Sequence, residues 1–398
     1  MPKGSVFTDE PMTYLDPYSG CRIRRLTNYT GHSNHLYFTD PCFLDDGASF
    51  VFTSDRDGHS NLFRYDLEDG TATQLTDLEG HSIENERVFD DRPAGAYSIA
   101  NGKHYYWWQN GLYELDVHTL DERLVWRAPA DKVVGIHGAT TADGRYVCTM
   151  LRERVEPAGP RLEYPYSYFP DLLEARPLTQ VIRVEVATGV MDVLHEDARF
   201  MTHVNVSPTR PNLLTFCHEG HWQQVEQRIW GLDIDTGAVW KIRPQDDGEL
   251  VIGHEYWFAD GEHVGYHGRP RHGEGDHVFG YRRFDNTDAV ETRFPFHSWH
   301  FASNDHRLIV GDGTAALQSP KEPFIQLFRW DGTDYVGPKV VAAHHDTFNG
   351  QLVHCHPRFT PDGRHVLYTS DATGYANMYL AELKPFDELP DLVPGMLR

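Results

Sequence analysis

Residues 42–77 read CFLDDGASFVFTSDRDGHSNLFRYDLEDGTATQLTD, and residues 359–380 read FTPDGRHVLYTSDATGYANMYL. Both stretches carry an Asp-Gly turn, an apolar strand ending Thr-Ser-Asp, a second turn containing Gly, and an alternating strand. Asp-Gly supplies the turn geometry that joins antiparallel strands, and alternation at period two marks a strand with one buried face. Followed outward, the turn anchors are Asp46-Gly47, Asn101-Gly102, Asp143-Gly144, Ser207-Pro208, Asp260-Gly261, Asn304-Asp305 and Asp362-Gly363. They recur roughly 40–65 residues apart, a period that fits about four short strands and so a β-propeller blade. Each anchor is followed by an outer strand pair such as LYELDVHTLDERLVW or VIRVEVATGVMDVLHED.

The pattern predicts an all-β, seven-bladed propeller formed by residues 1–398 as one domain. The last unit runs out after its third strand, at Met378–Leu383. The segment TYLDPYSGCRIRRLTN, residues 13–28, has the form of an outer hairpin and is expected to close the ring on the last blade. Closure protects edges that an open array would expose; a pair of β-sandwiches or an open solenoid is the alternative. Residues 151–178 break the repeat. Rich in Pro and Tyr, they read as an insertion over one face with a short helix near Asp171–Ala175.

Composition agrees. The chain is 13% aromatic, with 34 Gly and 24 Pro, which suits short strands and tight turns. A formal charge of −23 argues against nucleic-acid partners, which demand a basic face. Five scattered cysteines (Cys21, Cys42, Cys148, Cys217, Cys355) make a poor disulfide framework and read as buried thiols. No apolar run reaches the roughly 18–20 residues of a membrane span, and the first ten residues carry no signal core. A cytoplasmic protein with no membrane partner is expected.

Among 24 histidines, spacing separates candidates from background. His354 and His356, read as lying on a strand, would point to one face. Gln351 lies just upstream, and His300 precedes the sixth anchor as His354 and His356 precede the seventh. Neighbouring blades converge on a central channel, so these four form a candidate set for a divalent metal. Satisfied histidines at a strand end are the plainer reading.

A second group is CHEGHWQQVEQRIW (217–230) and GHEYWF (253–258). His218, His221, Arg228 and His254 are expected near strand starts or connections on the channel side of blades four and five. A neutral imidazole can act as a base, and a guanidinium offers a fork for a carboxylate. Glu219 and Glu255 pairing with nearby cations as structural contacts is the competing reading. His203 and Arg152 join His218 and Arg228 as expected substrate-binding positions. Arg154, His32 and His35 could line a channel mouth.

These motifs carry a resemblance. The chain resembles the oligogalacturonate lyases, seven-bladed propellers that cut short pectic fragments. The likeness extends over nearly the whole length. It is strongest at CFLDDG, at CHEG with Arg-x-Trp eleven residues after the Cys, at HEYW, at HFASN followed by VGDG, and at Q-x-x-H-x-H-P-x-F-T-P. The resemblance implies manganese held by His300, Gln351, His354 and His356, with His254 as base and Arg228 as its substrate-binding partner. It implies β-elimination from a short galacturonate oligosaccharide. The chain departs from the family before its first anchor, where it reads His32-Ser-Asn-His35-Leu-Tyr-Phe. It departs again after VGDG, where GTAALQSPKEP is short. A lyase for a different uronate-containing oligosaccharide is therefore an alternative, as is a non-catalytic propeller of the periplasmic translocation type. A hydrolase would need a nucleophile elbow, and no Gly-x-Ser-x-Gly is present.

Overall fold

The structure, a computed structural model, describes residues 2–44, 47–79, 93–135, 137–156, 168–273, 275–294, 298–316 and 321–397. Among them the strands form seven antiparallel sheets, each running from an inner strand to an outer one. In five of these sheets the strand order follows the chain, and in the other two an N-terminal segment adds the outer strands, Val6–Phe7 in blade one and Met12–Leu15 with Arg22–Arg25 in blade seven. Blade five is typical, with Leu250–Trp257, His263–Pro270, His277–Arg283 and Ala289–Phe294 in sequence.

Burial falls from the inner strands outward. Strand Ser49–Ser54 of blade one is buried at every position, on both faces, because neighbouring blades pack against each side. The outermost strand Glu122–Arg127 of blade two is mostly exposed, as its three charged residues Glu122, Arg123 and Arg127 allow. The acidic turns before outer strands are built alike. The Asp66 carboxylate accepts the backbone N–H groups of Glu68 and Asp69, and Asp233 accepts those of Asp235 and Thr236. Gly70 and Gly237 complete those turns at φ 69° and 71°, a region costly for other residues.

The ring closes where the sequence indicated. Arg22–Arg25 pairs with the third strand of the last blade, Asn377–Glu382, in the register Ile23 to Ala381, Arg24 to Leu380 and Arg25 to Tyr379. Met12–Leu15 pairs with Arg22–Arg25 and gives this blade a fifth strand. Ile23 and Ala381 are fully buried, so the closing pair belongs to the core rather than to the edge.

All five cysteines are buried and unbridged. The helix foreseen near Asp171–Ala175 is Phe169–Ala175, which packs Phe169 against Phe200 of blade four. The centre of the insertion, residues 157–167, lies outside the described residues, as do Asp46 of the first anchor and His297.

Candidate metal and catalytic site

The Gln351–His356 segment is not a strand. Gln351–Val353 is a single 3-10 turn, His354 and Cys355 are extended without a ladder partner, and the inner strand of blade seven begins at Arg358. Two local facts prevent pairing. Pro357 has no N–H to donate, and His356 takes a left-handed φ of 41°. Of the four expected groups, the three imidazoles converge on this irregular backbone. The ligand nitrogens of His300, His354 and His356 lie within 4.8 Å of one another, all three side chains buried.

Asp312 organises that cluster. His300 Nδ1 donates to its Oδ2 at 2.5 Å, and Oδ1 accepts from the backbone N–H groups of Trp299 and His300 and from Ser298 Oγ, all at 2.8–2.9 Å. The His300 interaction holds the Asp312 carboxyl below its usual range despite burial, which alone would raise it. With Nδ1 so engaged, Nε2 of His300 keeps its lone pair for the cluster, the carboxylate–histidine arrangement seen behind metal ligands. The glycines of VGDG explain the placement. A Cβ on Gly311 would meet Ser298 Oγ at 2.7 Å, and Gly313 sits at φ 60° with the Glu322 carbonyl 2.2 Å from where a Cβ would stand.

The residues fit a divalent metal. Nδ1 of His354 and Nε2 of His356 are buried without a hydrogen-bond partner among the described residues, an arrangement that costs stability unless something else is bound. Burial, then His300 beside it, lowers His354 to about 3, and the same causes hold His356 far below its ordinary value. Both imidazoles are neutral at pH 7 and able to ligate.

His254 lies inside the inner strand of blade five rather than at its start. The pairing with His263–Pro270 slips between Gly253 and Tyr256, and His254 occupies that bulge at φ 53°. His203 occupies the corresponding bulge of blade four, between Thr202 and Asn205, at φ 49°. Bulges re-aim side chains, and here each sends an imidazole toward the channel. The His254 ring stands 4.6 Å from that of His300, 5.2 Å from Trp222 and 6.3 Å from Phe38. Its Nδ1 is 2.7 Å from Nε2 of His267. Burial, with His300, His267 and Arg228 nearby, keeps His254 neutral.

Arg228 is fastened by two buried carboxylates. Its Nη1 donates to Glu219 at 2.6 Å and its Nε to Glu255 at 3.0 Å, and the side chain is 2% exposed. The structural pairing foreseen for Glu219 and Glu255 is therefore present, and its partner is Arg228 itself. Nη1 and Nε, on different edges of the guanidinium, are thereby both engaged. His203 completes the group, its Nε2 3.3 Å from Glu219, its ring stacked on His137. His203, Cys217 and Glu219 also bring ligand atoms within 4.8 Å. Burial pushes the Cys217 thiol well up and Glu219 is committed to Arg228, so this trio lacks the thiolate and free carboxylate of a metal site.

Other expected positions fall elsewhere. His218 ends the second strand of blade four and packs on Trp230 at 5.0 Å, with Asp197 of the preceding blade 3.8 Å away. Successive strand residues face opposite sides; Cys217 faces Thr202 and the Arg228 group, so His218 faces away. Arg152 is buried, donates to the Glu153 carbonyl and lies 5.8 Å over the Phe200 ring. His221 leads into the 3-10 turn Trp222–Gln224 and packs near Phe169. His35 is no channel residue: its ring bridges the carbonyls of Leu36 and Cys355. His32 accepts the Ala376 N–H, and Arg154 donates to the Ala130 carbonyl. Asp312, His267, Trp222 and Phe38 were not singled out in the sequence.

Three imidazoles converging in a seven-bladed propeller, beside a fourth imidazole and a buried arginine, form a donor set that suits a divalent metal ion. The family model described as oligogalacturonate lyase matches residues 1–386, and the chain belongs to that family. It is 28% identical to the oligogalacturonide lyase of Pectobacterium atrosepticum and 27% identical to the oligogalacturonate lyase of Dickeya dadantii. Each alignment covers 96% of this chain and 98% of the relative. Among solved structures it is similar to an oligogalacturonate lyase in complex with manganese. The TM-score is 0.83 at 26% identity, over 98% of this chain and 100% of the other.

Proposed function

We propose that the protein is a metal-dependent oligogalacturonate lyase, cleaving short galacturonate oligosaccharides by β-elimination. The observation that carries this reading is the His300–His354–His356 cluster backed by Asp312, with His254 4.6 Å from His300. His300, His354 and His356, with Gln351 on the adjoining turn, would hold the metal; manganese is the ion of the similar solved structure. When bound, a divalent ion supplies positive charge that offsets a uronate carboxylate and so acidifies the neighbouring C5–H.

The chain's own residues supply the rest. His254 takes the C5 proton at Nε2. The C5–H electron pair becomes the C4–C5 double bond, and the C4–O pair leaves on the departing oxygen, with no water consumed. Nη2 of Arg228 binds a substrate oxygen, held in place by Glu219 and Glu255.

No described helix is long and apolar enough to cross a membrane. The reading takes residues 1–398 as one propeller domain acting in the cytoplasm on small anionic sugars. The test is turnover of digalacturonate and its unsaturated form, followed as the double-bond chromophore and the keto-uronate product, with metal content measured in the same sample. Chelation and His254→Ala should each abolish it. Undiminished turnover after complete metal removal would overturn the mechanism. Preference for glucuronate- or rhamnose-containing disaccharides would move the specificity to another uronate.

A further inference from the structure

His267 lies on the second strand of blade five, 4% exposed, and its Nε2 is 2.7 Å from Nδ1 of His254. The two rings are nearly parallel, at 20° with centroids 5.0 Å apart. Trp222 packs edge-on against both, at 5.2 and 5.5 Å, and Phe301 supports His267 from another side at 5.1 Å. Such confinement fixes the pair's geometry. Two neutral imidazoles joined in this way share one hydrogen, so two tautomeric arrangements exist. In one, His254 Nδ1–H donates to His267 Nε2, His254 Nε2 carries a lone pair, and His267 holds its own hydrogen on Nδ1, a buried nitrogen with no hydrogen-bond partner among the described residues. In the other, His267 donates, His254 bears its hydrogen on Nε2, and it cannot accept a proton there.

We propose that His267 is the positioning residue of the candidate base: its Nε2 accepts the His254 Nδ1–H and holds His254 in the tautomer whose Nε2 can take the C5 proton. This rests on the reading of His254 as base. When His254 gains the proton, both its nitrogens bear hydrogen, and His267 Nε2 remains an acceptor for the strengthened Nδ1–H bond. Orientation of a catalytic imidazole through its second nitrogen commonly falls to a carboxylate. Glu255, the carboxylate adjacent in sequence, is committed to Arg228, and a neutral ring takes the place.

The test compares His267→Gln with His267→Phe and His267→Leu in the metal-loaded enzyme. Gln brings an amide oxygen to the place of Nε2; Phe and Leu bring no acceptor. Losing the correct tautomer should lower kcat on the order of 10²–10³-fold, within the span of general-base contributions. KM and metal content should stay near wild type, and His267→Gln should recover kcat to within about tenfold. Full kcat in a folded Phe or Leu variant overturns the proposal. So does equal loss in all three variants, which marks a purely structural ring. His254→Ala serves as the separate check: if it retains activity, the base reading itself fails, whatever the His267 variants do.

Discussion

Replacing Asp312 by Asn changes one atom and sets two requirements against each other. In the wild type, Oδ1 accepts two backbone N–H groups and Oδ2 accepts His300 Nδ1–H. An amide has one acceptor oxygen. If that oxygen stays with the backbone donors, its NH₂ faces His300 Nδ1, which must then turn acceptor and move the ring hydrogen to Nε2. That tautomer cannot ligate. If the amide flips, the NH₂ faces the Trp299 and His300 N–H groups and leaves buried donors unpaired, at about 1–3 kcal/mol each. Asp312 is fully buried, so water does not rescue either arrangement.

Loss of such a partner behind a ligating histidine typically lowers metal affinity about 10–100-fold, or about 1.4–2.7 kcal/mol. The assay is competitive Mn²⁺ titration of metal-depleted wild type and Asp312→Asn, with urea unfolding of both metal-free proteins alongside. Weaker Mn²⁺ binding is expected whichever way the amide settles. Unchanged affinity in a variant that unfolds at lower urea would refute the reasoning, leaving Asp312 as a brace for the backbone alone.

Three further outcomes follow from the same geometry. Gly253→Ala puts a Cβ 2.2 Å from the Trp222 ring, which packs edge-on against both His254 and His267; a displaced base should cost about 10²-fold in kcat, and wild-type turnover would show that Trp222 does not hold the rings. Ile23→Ala, at the fully buried closing strand, should cost about 2–5 kcal/mol by urea unfolding; a change within error would mean that closure contributes nothing to global stability. His104 is buried with neither ring nitrogen bonded among the described residues, and burial lowers it to about 3 from 6.5. The unfolded chain binds this proton below pH 6.5 while the folded chain does not until about 3. Its contribution is thus complete above 6.5 and is lost as pH falls, at about 1.4 kcal/mol per pH unit. His104→Phe should flatten the stability profile between pH 6.5 and 4 by that amount, and an unaltered slope would assign acid sensitivity to other groups.

The fold was legible because its signals are local. Asp-Gly and Asp-x-x-x-Gly turns write their own geometry into a few residues, and the missing strand at one end of the chain had its counterpart at the other. The site was legible in composition and less so in conformation. Gln351, His354 and His356 lie on a 3-10 turn and unpaired backbone rather than on the expected strand, a difference that Pro357 already argued for. His218 was misplaced for a reason the sequence contained: it adjoins Cys217 on one strand, so only one of the two faces the Arg228 group. His267 gave no signal, since a single histidine on a second strand looks like any core residue until the rings are seen together. Asp312 stands within the VGDG motif, and those four residues alone do not show which ring its carboxylate reaches.

Three of the four described histidines in left-handed backbone share a physical logic. His203 and His254 sit in equivalent bulges of adjacent blades, and His356 sits where blade seven has not yet begun to pair. Regular strands around a propeller channel alternate their side chains, so each blade would offer one residue per two to the space between blades. A bulge interrupts that alternation and turns one more side chain along the channel. Each left-handed non-glycine residue costs roughly 1–3 kcal/mol unless its surroundings compensate. The rings of Trp222, Phe38, Tyr37 and His137 pack around these imidazoles, and the pairing on both sides of each bulge is retained. The strain is thus confined to single residues in an otherwise regular sheet. That is why a repeat with such uniform turns can present four imidazoles from three different blades at one point.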